Sequence, residues 1–381
     1  MSTITPTAVA PDGGTEFIFS PEQEELRATL RRYLERNFSR HELRRVIETP
    51  AGFDPAAWTA IAAELGVPGV PVPEALDGGG GGAIELSVIA EELGRVLYCS
   101  PWFGSCALAF PALTAAGGDR GDELTRALAA GQTTATVVCD KLISPTGGGG
   151  RLTASGGADA TIDGAARFVI DGATAEHLIV LADDDHGESA YLINGRAGVT
   201  AAPLATLDLT RPLAEVRFTG APAYRLGEPG TGAAVRAQLA QTAGLASTAE
   251  SLGGMQFCLD LASEYTKTRL QFGRAIGSFQ AVKHKLADML VQLEICRTAV
   301  QHAAWTVASG APSAALAVHL AQAQVGDSYL ALTAENIQVH GGIGFTWDHD
   351  AHLYYRRAKA AQLLFGSPGY HRDQVAELVG I

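Results

Sequence analysis

The sequence predicts an α+β chain of several domains, with helices first, strands in the middle and helices again at the end. Three observations carry this reading. Apolar residues recur at helical spacing early in the chain, as at Leu26, Leu30, Tyr33 and Leu34. Between about 132 and 228, short β-rich runs are separated by glycine clusters. From about 231 onward, long Ala- and Leu-rich segments are periodic once more. Helices and strands that segregate in this way argue against a doubly wound sheet, in which they alternate. At 381 residues the chain is also too long for one compact core.

Residues 1–15 are rich in Thr, Pro and Gly and are expected to be disordered. An N-terminal α-helical domain is expected over 16–131. Its first helix starts at Ser20-Pro21-Glu22-Gln23: Ser20 caps, Pro21 takes the first helical position and Gln23 closes a capping box. Further helical pattern covers 55–65 and 84–98, interrupted by Asp77 and Gly78 to Gly82. A middle antiparallel, β-barrel-like domain is expected over 132–228, with strand signals at Thr133 to Val138, Phe168-Val169-Ile170, His177 to Leu181 and Ala214 to Phe218. A C-terminal helical bundle is expected over 229–381, with helical pattern at 233–268, 279–309, 313–339 and 350–364.

Composition narrows the function classes. The chain is 47% hydrophobic and 18% charged, as globular domains are. The net charge of -13 argues against non-specific nucleic-acid binding. Met1 to Glu16 has neither the basic nor the apolar region of a signal peptide. No apolar run is long enough to cross a membrane. Cys99, Cys106, Cys139, Cys258 and Cys296 form no C-x-x-C pair, which predicts reduced core thiols and a cytoplasmic protein. No G-x-G-x-x-G follows a strand. The residues His340, His349, Asp350 and His352 could supply metal ligands, but they are not read as a metal site.

Two later stretches carry the chemistry. The first is Arg269-Leu270-Gln271-Phe272-Gly273-Arg274-Ala275-Ile276-Gly277-Ser278-Phe279-Gln280, and the second is Gln338-Val339-His340-Gly341-Gly342-Ile343-Gly344-Phe345. Together they resemble the C-terminal flavin-binding signature of the acyl-CoA dehydrogenase family. Val72 to Gly79 and Glu91-Glu92-Leu93-Gly94-Arg95 look like the family's N-terminal loop and helix, so the resemblance runs over nearly the whole chain. It implies a C-terminal four-helix bundle and FAD as cofactor. By position, Arg269 would meet the FAD pyrophosphate and Phe272 would pack on the flavin or its linker. Gln338, Gly341 and Gly342 would lie along the adenosine-diphosphate portion, and Gln280 belongs to the same cofactor-binding set. The physics agrees: a guanidinium fork suits a diphosphate, and paired glycines allow close backbone approach.

In the family these motifs largely serve a neighbouring subunit's FAD, while the flavin ring is held by the β domain of the subunit that owns it. That second half departs from the family pattern. Phe168 stands for the family's Trp and Ile170 for its Thr, and isoleucine cannot donate a hydrogen bond to a flavin. The catalytic base departs as well. Phe365 occupies the commonest Glu position and Ala243 the second known one. Glu250 remains as the candidate base. It lies two turns from Ala243, and Ala246, Ala249, Leu252 and Gly253 predict a low-polarity setting that would raise its pKa.

The resemblance therefore implies α,β-dehydrogenation of an acyl-CoA thioester: α-proton abstraction, with the β-hydride passing to flavin N5. The implied partners are an acyl-CoA substrate, an electron-transfer flavoprotein as acceptor, and a homo- or hetero-oligomer with another chain of the same family. Three readings stay open: a self-sufficient homo-oligomer with Glu250 as base, a partner subunit supplying only the trans half of an FAD site, and a redirected flavoprotein oxidase, monooxygenase or non-redox enzyme.

Overall fold

The computed structural model describes residues 18–145 and 150–381. The expected disordered tail at 1–15, the leader reading of Met1 to Glu16 and most of the 147–150 glycine cluster lie outside those residues.

The first described helix, α1 (Pro21–Asn37), begins with the capping box read from the sequence. The Gln23 N–H donates to the Ser20 hydroxyl at 3.3 Å, and the Ser20 N–H donates to Gln23 Oε1 at 2.8 Å. Then come α2 (Arg40–Ile47), α3 (Pro55–Leu65) and α4 (Ala83–Arg95), with Gly78 to Gly82 in the bend before α4. The helix expected over 84–98 stops at Arg95, because Leu97 turns into the left-handed region at φ 52. A π-helical stretch, Phe103–Ala109, runs directly into α5 (Phe110–Ala116), and α6 (Asp119–Ala129) follows.

The strands are β1 (Ala135–Val138), β2 (Leu152–Gly156), β3 (Asp159–Ile170), β4 (His177–Asp184), β5 (Gly187–Ile193), β6 (Val199–Pro203) and β7 (Leu213–Leu226); the short helix α7 (Asp140–Ile143) precedes β2. The pairings run from β4 through β5, β7, β3 and β2 back to β4, a closed circuit, with β1 beside β4 and β6 beside β7. The expectation of an antiparallel domain needs correcting. β1 and β2 both pair with β4 in parallel, so the sheet is mixed. Parallel neighbours need a long connection, and β1 and β4 are joined by the whole β2–β3 excursion, which short-range turn signals do not reveal. The barrel has its own apolar interior, including Ile162, Val180, Tyr191, Val216 and Phe218.

The C-terminal part holds α8 (Gly232–Thr268), the hairpin β8 (Leu270–Gln271) and β9 (Arg274–Ala275), α9 (Gln280–Ala308), α10 (Ala314–His340), α11 (Ala351–Ala361) and α12 (Pro368–Val379). α10 packs against α8, α9, α11 and α12. The 37 residues of α8 span about 55 Å at 1.5 Å per residue. α4 crosses α8 at glycines: a Cβ on Gly94 would sit 2.0 Å from the Glu250 carbonyl oxygen, and one on Gly253 would sit 1.9 Å from that of Glu91. Only glycine permits this approach, and it fixes Glu250 beside α4. No helix among the described residues is long and apolar enough to cross a membrane. The five cysteines form no disulfide and are buried.

Candidate functional site

Glu250 lies midway along α8, and its carboxylate faces two other segments. The loop Asp208-Leu209-Thr210-Arg211 before β7 supplies one cation, and α11 supplies another. The Arg211 guanidinium pairs directly with Glu250 Oε2, while Arg357 Nη1 lies 3.7 Å from the same oxygen. Arg357 Nε also donates to Asp208 Oδ2 at 2.8 Å, and its Nη2 donates to the Thr210 hydroxyl at 2.6 Å. The Thr210 hydroxyl in turn donates to Asp208 Oδ1 at 2.6 Å. Two guanidiniums thus face two carboxylates in a closed network. Burial works against the Arg357 charge, but Asp208 and Glu250 hold it charged well beyond its usual range. The low-polarity setting expected for Glu250 is corrected accordingly. Ala246, Ala249 and Leu252 are buried on the same helix, but the carboxylate itself reaches charged partners.

A third carboxylate faces the same pocket. Asp171 is buried, its backbone stands at φ 54, and its Oδ2 has no hydrogen-bond partner. Burial raises its carboxyl to about 7, against the pull of Arg211 and the Gly104 N–H. Aromatic rings close the rest of the space. Phe365, at the expected base position, stacks on Phe103 with centroids 5.7 Å apart, and the Arg211 guanidinium lies 4.1 Å from the Phe103 centroid. What remains between Phe103, Asp171, Arg211, Glu250 and Arg357 is a cavity of about 10 Å³, room for about one water. Of these residues, sequence reasoning singled out Glu250 and Phe365. Arg211, Arg357, Asp208, Asp171 as a titrating group, and Phe103 went unread.

The candidate cofactor residues lie elsewhere. A tilted ring contact between Tyr265 and His340, centroids 4.5 Å apart, brings the C-terminal ends of α8 and α10 together. Arg269 caps α8, and Phe272 and Gly273 form the two-residue turn of the β8–β9 hairpin at φ 52 and 76. Both positive angles suit a primed turn, which presents Phe272 with 91% of its surface exposed. Gln280 opens α9, Gln338 lies in the last turn of α10, and Gly341 and Gly342 follow it with open space where a Cβ would be. All six sequence-predicted cofactor residues therefore gather at one end of the helices, facing outward. The set combines an exposed guanidinium, two side-chain amides and an unobstructed glycine backbone, the donor chemistry that a dinucleotide diphosphate requires.

Glu250 and Arg269, the residue that caps α8, stand nineteen residues apart, about 28 Å at the helical rise. The two sets therefore form separate places on the chain. On the β domain, Phe168 sits at φ 61 and is partly exposed, while Ile170 is buried and its carbonyl accepts from the Thr136 hydroxyl at 2.7 Å. Of the residues weighed as metal ligands, Asp350 accepts from Arg44 at 2.7 Å and is 3.1 Å from Arg40, and His340 Nδ1 lies 2.7 Å from the Asn336 carbonyl oxygen.

Comparison with known proteins adds to this picture. Residues 20–127 match the acyl-CoA dehydrogenase N-terminal domain model, and residues 230–380 match the acyl-CoA dehydrogenase C-terminal domain model. The chain is 35% identical over 359 residues to acyl-CoA dehydrogenase IpdE2 of Mycolicibacterium smegmatis, covering 94% of this chain and 98% of that one. It superposes on the ChsE4-ChsE5 complex of Mycobacterium tuberculosis with a TM-score of 0.86 at 27% identity, covering 96% and 99% of the two chains. The Tcur3481-Tcur3483 steroid ACAD gives a TM-score of 0.85 at 26% identity, covering 94% and 98%.

Proposed function

The chain belongs to the acyl-CoA dehydrogenase family, whose members are oxidoreductases acting on CH–CH bonds, and on that premise we propose that it is the partner subunit of a heteromeric FAD-dependent acyl-CoA dehydrogenase. The observation that carries this reading is the contrast between its two sites. The pocket around Glu250 is closed to about 10 Å³ and its carboxylate is tied to Arg211 and Arg357. The dinucleotide donors stand open at the far end of α8.

In the reaction, a base takes the α-proton of an acyl-CoA thioester, the β-carbon loses a hydride and a double bond forms. FAD, when bound, supplies the hydride acceptor, with an electron-transfer flavoprotein as the onward acceptor. This chain's residues bind and orient. Arg269 neutralises the pyrophosphate, Gln280 and Gln338 offer amide hydrogen bonds, Gly341 and Gly342 admit the adenosine-diphosphate portion, and Phe272 covers the flavin or its linker from across the interface. The base and the flavin-ring contacts come from the companion. Glu250 then serves as a structural anion between two arginines. Relatives of this fold solved as two-chain complexes, one of them described as a steroid enzyme, support a hetero-oligomer acting on a bulky acyl group. The exposed Leu290, Val291 and Ile295 on α9 give that assembly an apolar contact face.

The test is purification with and without a companion chain of the same family. The chain alone should be colourless, and the co-expressed pair should be yellow and bleach with acyl-CoA. A chain that alone binds FAD and bleaches with acyl-CoA, and loses bleaching in Glu250→Gln, refutes the proposal and returns Glu250 to the role of base.

A further inference from the structure

A second cavity, of about 880 Å³, lies away from both places. Its size falls within the roughly 300–1,000 Å³ of small-molecule sites. It opens between the start of α1, the glycine-rich entry to α4, α5, the first third of α8 and the end of α9. It shares no lining residue with the Glu250 pocket. The wall between them is the π-helical stretch: Phe103 faces one cavity, while Cys106 and the adjoining Phe110 face the other. Such wide turns recur at functional sites.

The lining specifies what fits. Val72, Leu86, Phe110, Leu245 and Trp305 make apolar walls. Gln238, Thr242 and Gln301 add neutral donors and acceptors from α8 and α9. None of the lining residues is Lys or Arg, and the one charged side chain among them, Glu85, already accepts from Gln23 Nε2 and the Gly82 N–H, each at 2.7 Å. A phosphate, a coenzyme A or a free carboxylate would lose its hydration here and meet a carboxylate in place of a cation. A hydrocarbon molecule with a single hydroxyl or ketone would bury its chain and satisfy its oxygen on the glutamine amides.

We propose that this cavity is a binding site for a neutral lipid, an alcohol or ketone of largely hydrocarbon structure, separate from the thioester and dinucleotide sites. The test is calorimetric titration of the full chain with 1-dodecanol and, in parallel, dodecanoate at pH 8. The alcohol should bind saturably and the carboxylate at least roughly tenfold more weakly, a difference of about 1.4 kcal/mol. Ala308→Trp and Ala83→Trp, which fill the cavity from α9 and α4, should each weaken alcohol binding by roughly tenfold or more while leaving thermal unfolding unchanged. Equal binding of alcohol and carboxylate overturns the proposal. So does undiminished alcohol binding by both folded variants, or binding that emerges only when residues 1–17 are deleted.

Discussion

Replacing Asp171 by asparagine separates a dry pocket from a wet one. The carboxyl is buried, its Oδ2 lacks a partner, and the neighbouring network already balances two arginines against Asp208 and Glu250. Ionising Asp171 places a further negative charge in a buried setting that Arg211 and the Gly104 N–H offset only in part, so burial lifts its carboxyl from 3.8 to about 7. Because the folded value is the higher one, folding favours the protonated form. The resulting stability is complete below about pH 4, is lost as pH rises towards 7, and levels off above it. At about 1.4 kcal/mol per unit, the whole effect is of the order of 4 kcal/mol, of which about 2–3 kcal/mol falls between pH 5 and pH 8. The substituted amide does not titrate and nearly matches the shape it replaces. Urea unfolding of both proteins at pH 5 and pH 8 should therefore show the Asp171→Asn difference moving by about 2–3 kcal/mol in favour of the variant at the higher pH. A difference that does not change with pH would mean that Asp171 is ionised throughout and that the pocket is hydrated, which would undercut the closed-pocket argument.

Glu250→Gln leaves Arg211 and Arg357 facing one carboxylate fewer, and should cost about 3–5 kcal/mol in urea unfolding, as breaking a buried pair does. In a reconstituted hetero-oligomer it should leave flavin bleaching by acyl-CoA intact. Arg269→Ala changes an exposed cap and should stay within about 0.5 kcal/mol of the parent in stability, yet lower the flavin absorbance retained per complex after gel filtration. Gly253→Ala drives a methyl into the Glu91 carbonyl at the α4–α8 crossing, and should lower stability by about 1–3 kcal/mol or more, read as a drop in melting temperature.

The legible parts were those set by neighbours in the chain. The Ser20–Gln23 box, the 55–65 helix and the long periodic segments after 231 follow from spacing and capping over a few residues. The cofactor candidates were legible because each motif is contiguous: Arg269, Phe272 and Gln280 share one hairpin and helix start, and Gln338, Gly341 and Gly342 share one helix end. The parallel pairing of β1 with β4 escaped, since the register of distant strands leaves no local mark. The end of α4 shifted because Leu97 takes a left-handed angle that composition does not announce.

By itself the sequence determined the order of elements, the family resemblance and the presence of phenylalanine at 365 and alanine at 243, since each of these is a residue identity or a short-range pattern. Only the tertiary structure decided what Glu250 meets. Asp171, Arg211, Glu250 and Arg357 come from a barrel strand end, a loop and two helices, and packing alone brings them within reach. Their charges interact strongly because that packing buries them, with Phe103 stacked on Phe365 beside them. The unbroken run of α8 likewise sets Glu250 far from Arg269, a separation that residue numbers alone do not give because it depends on the segment staying helical throughout.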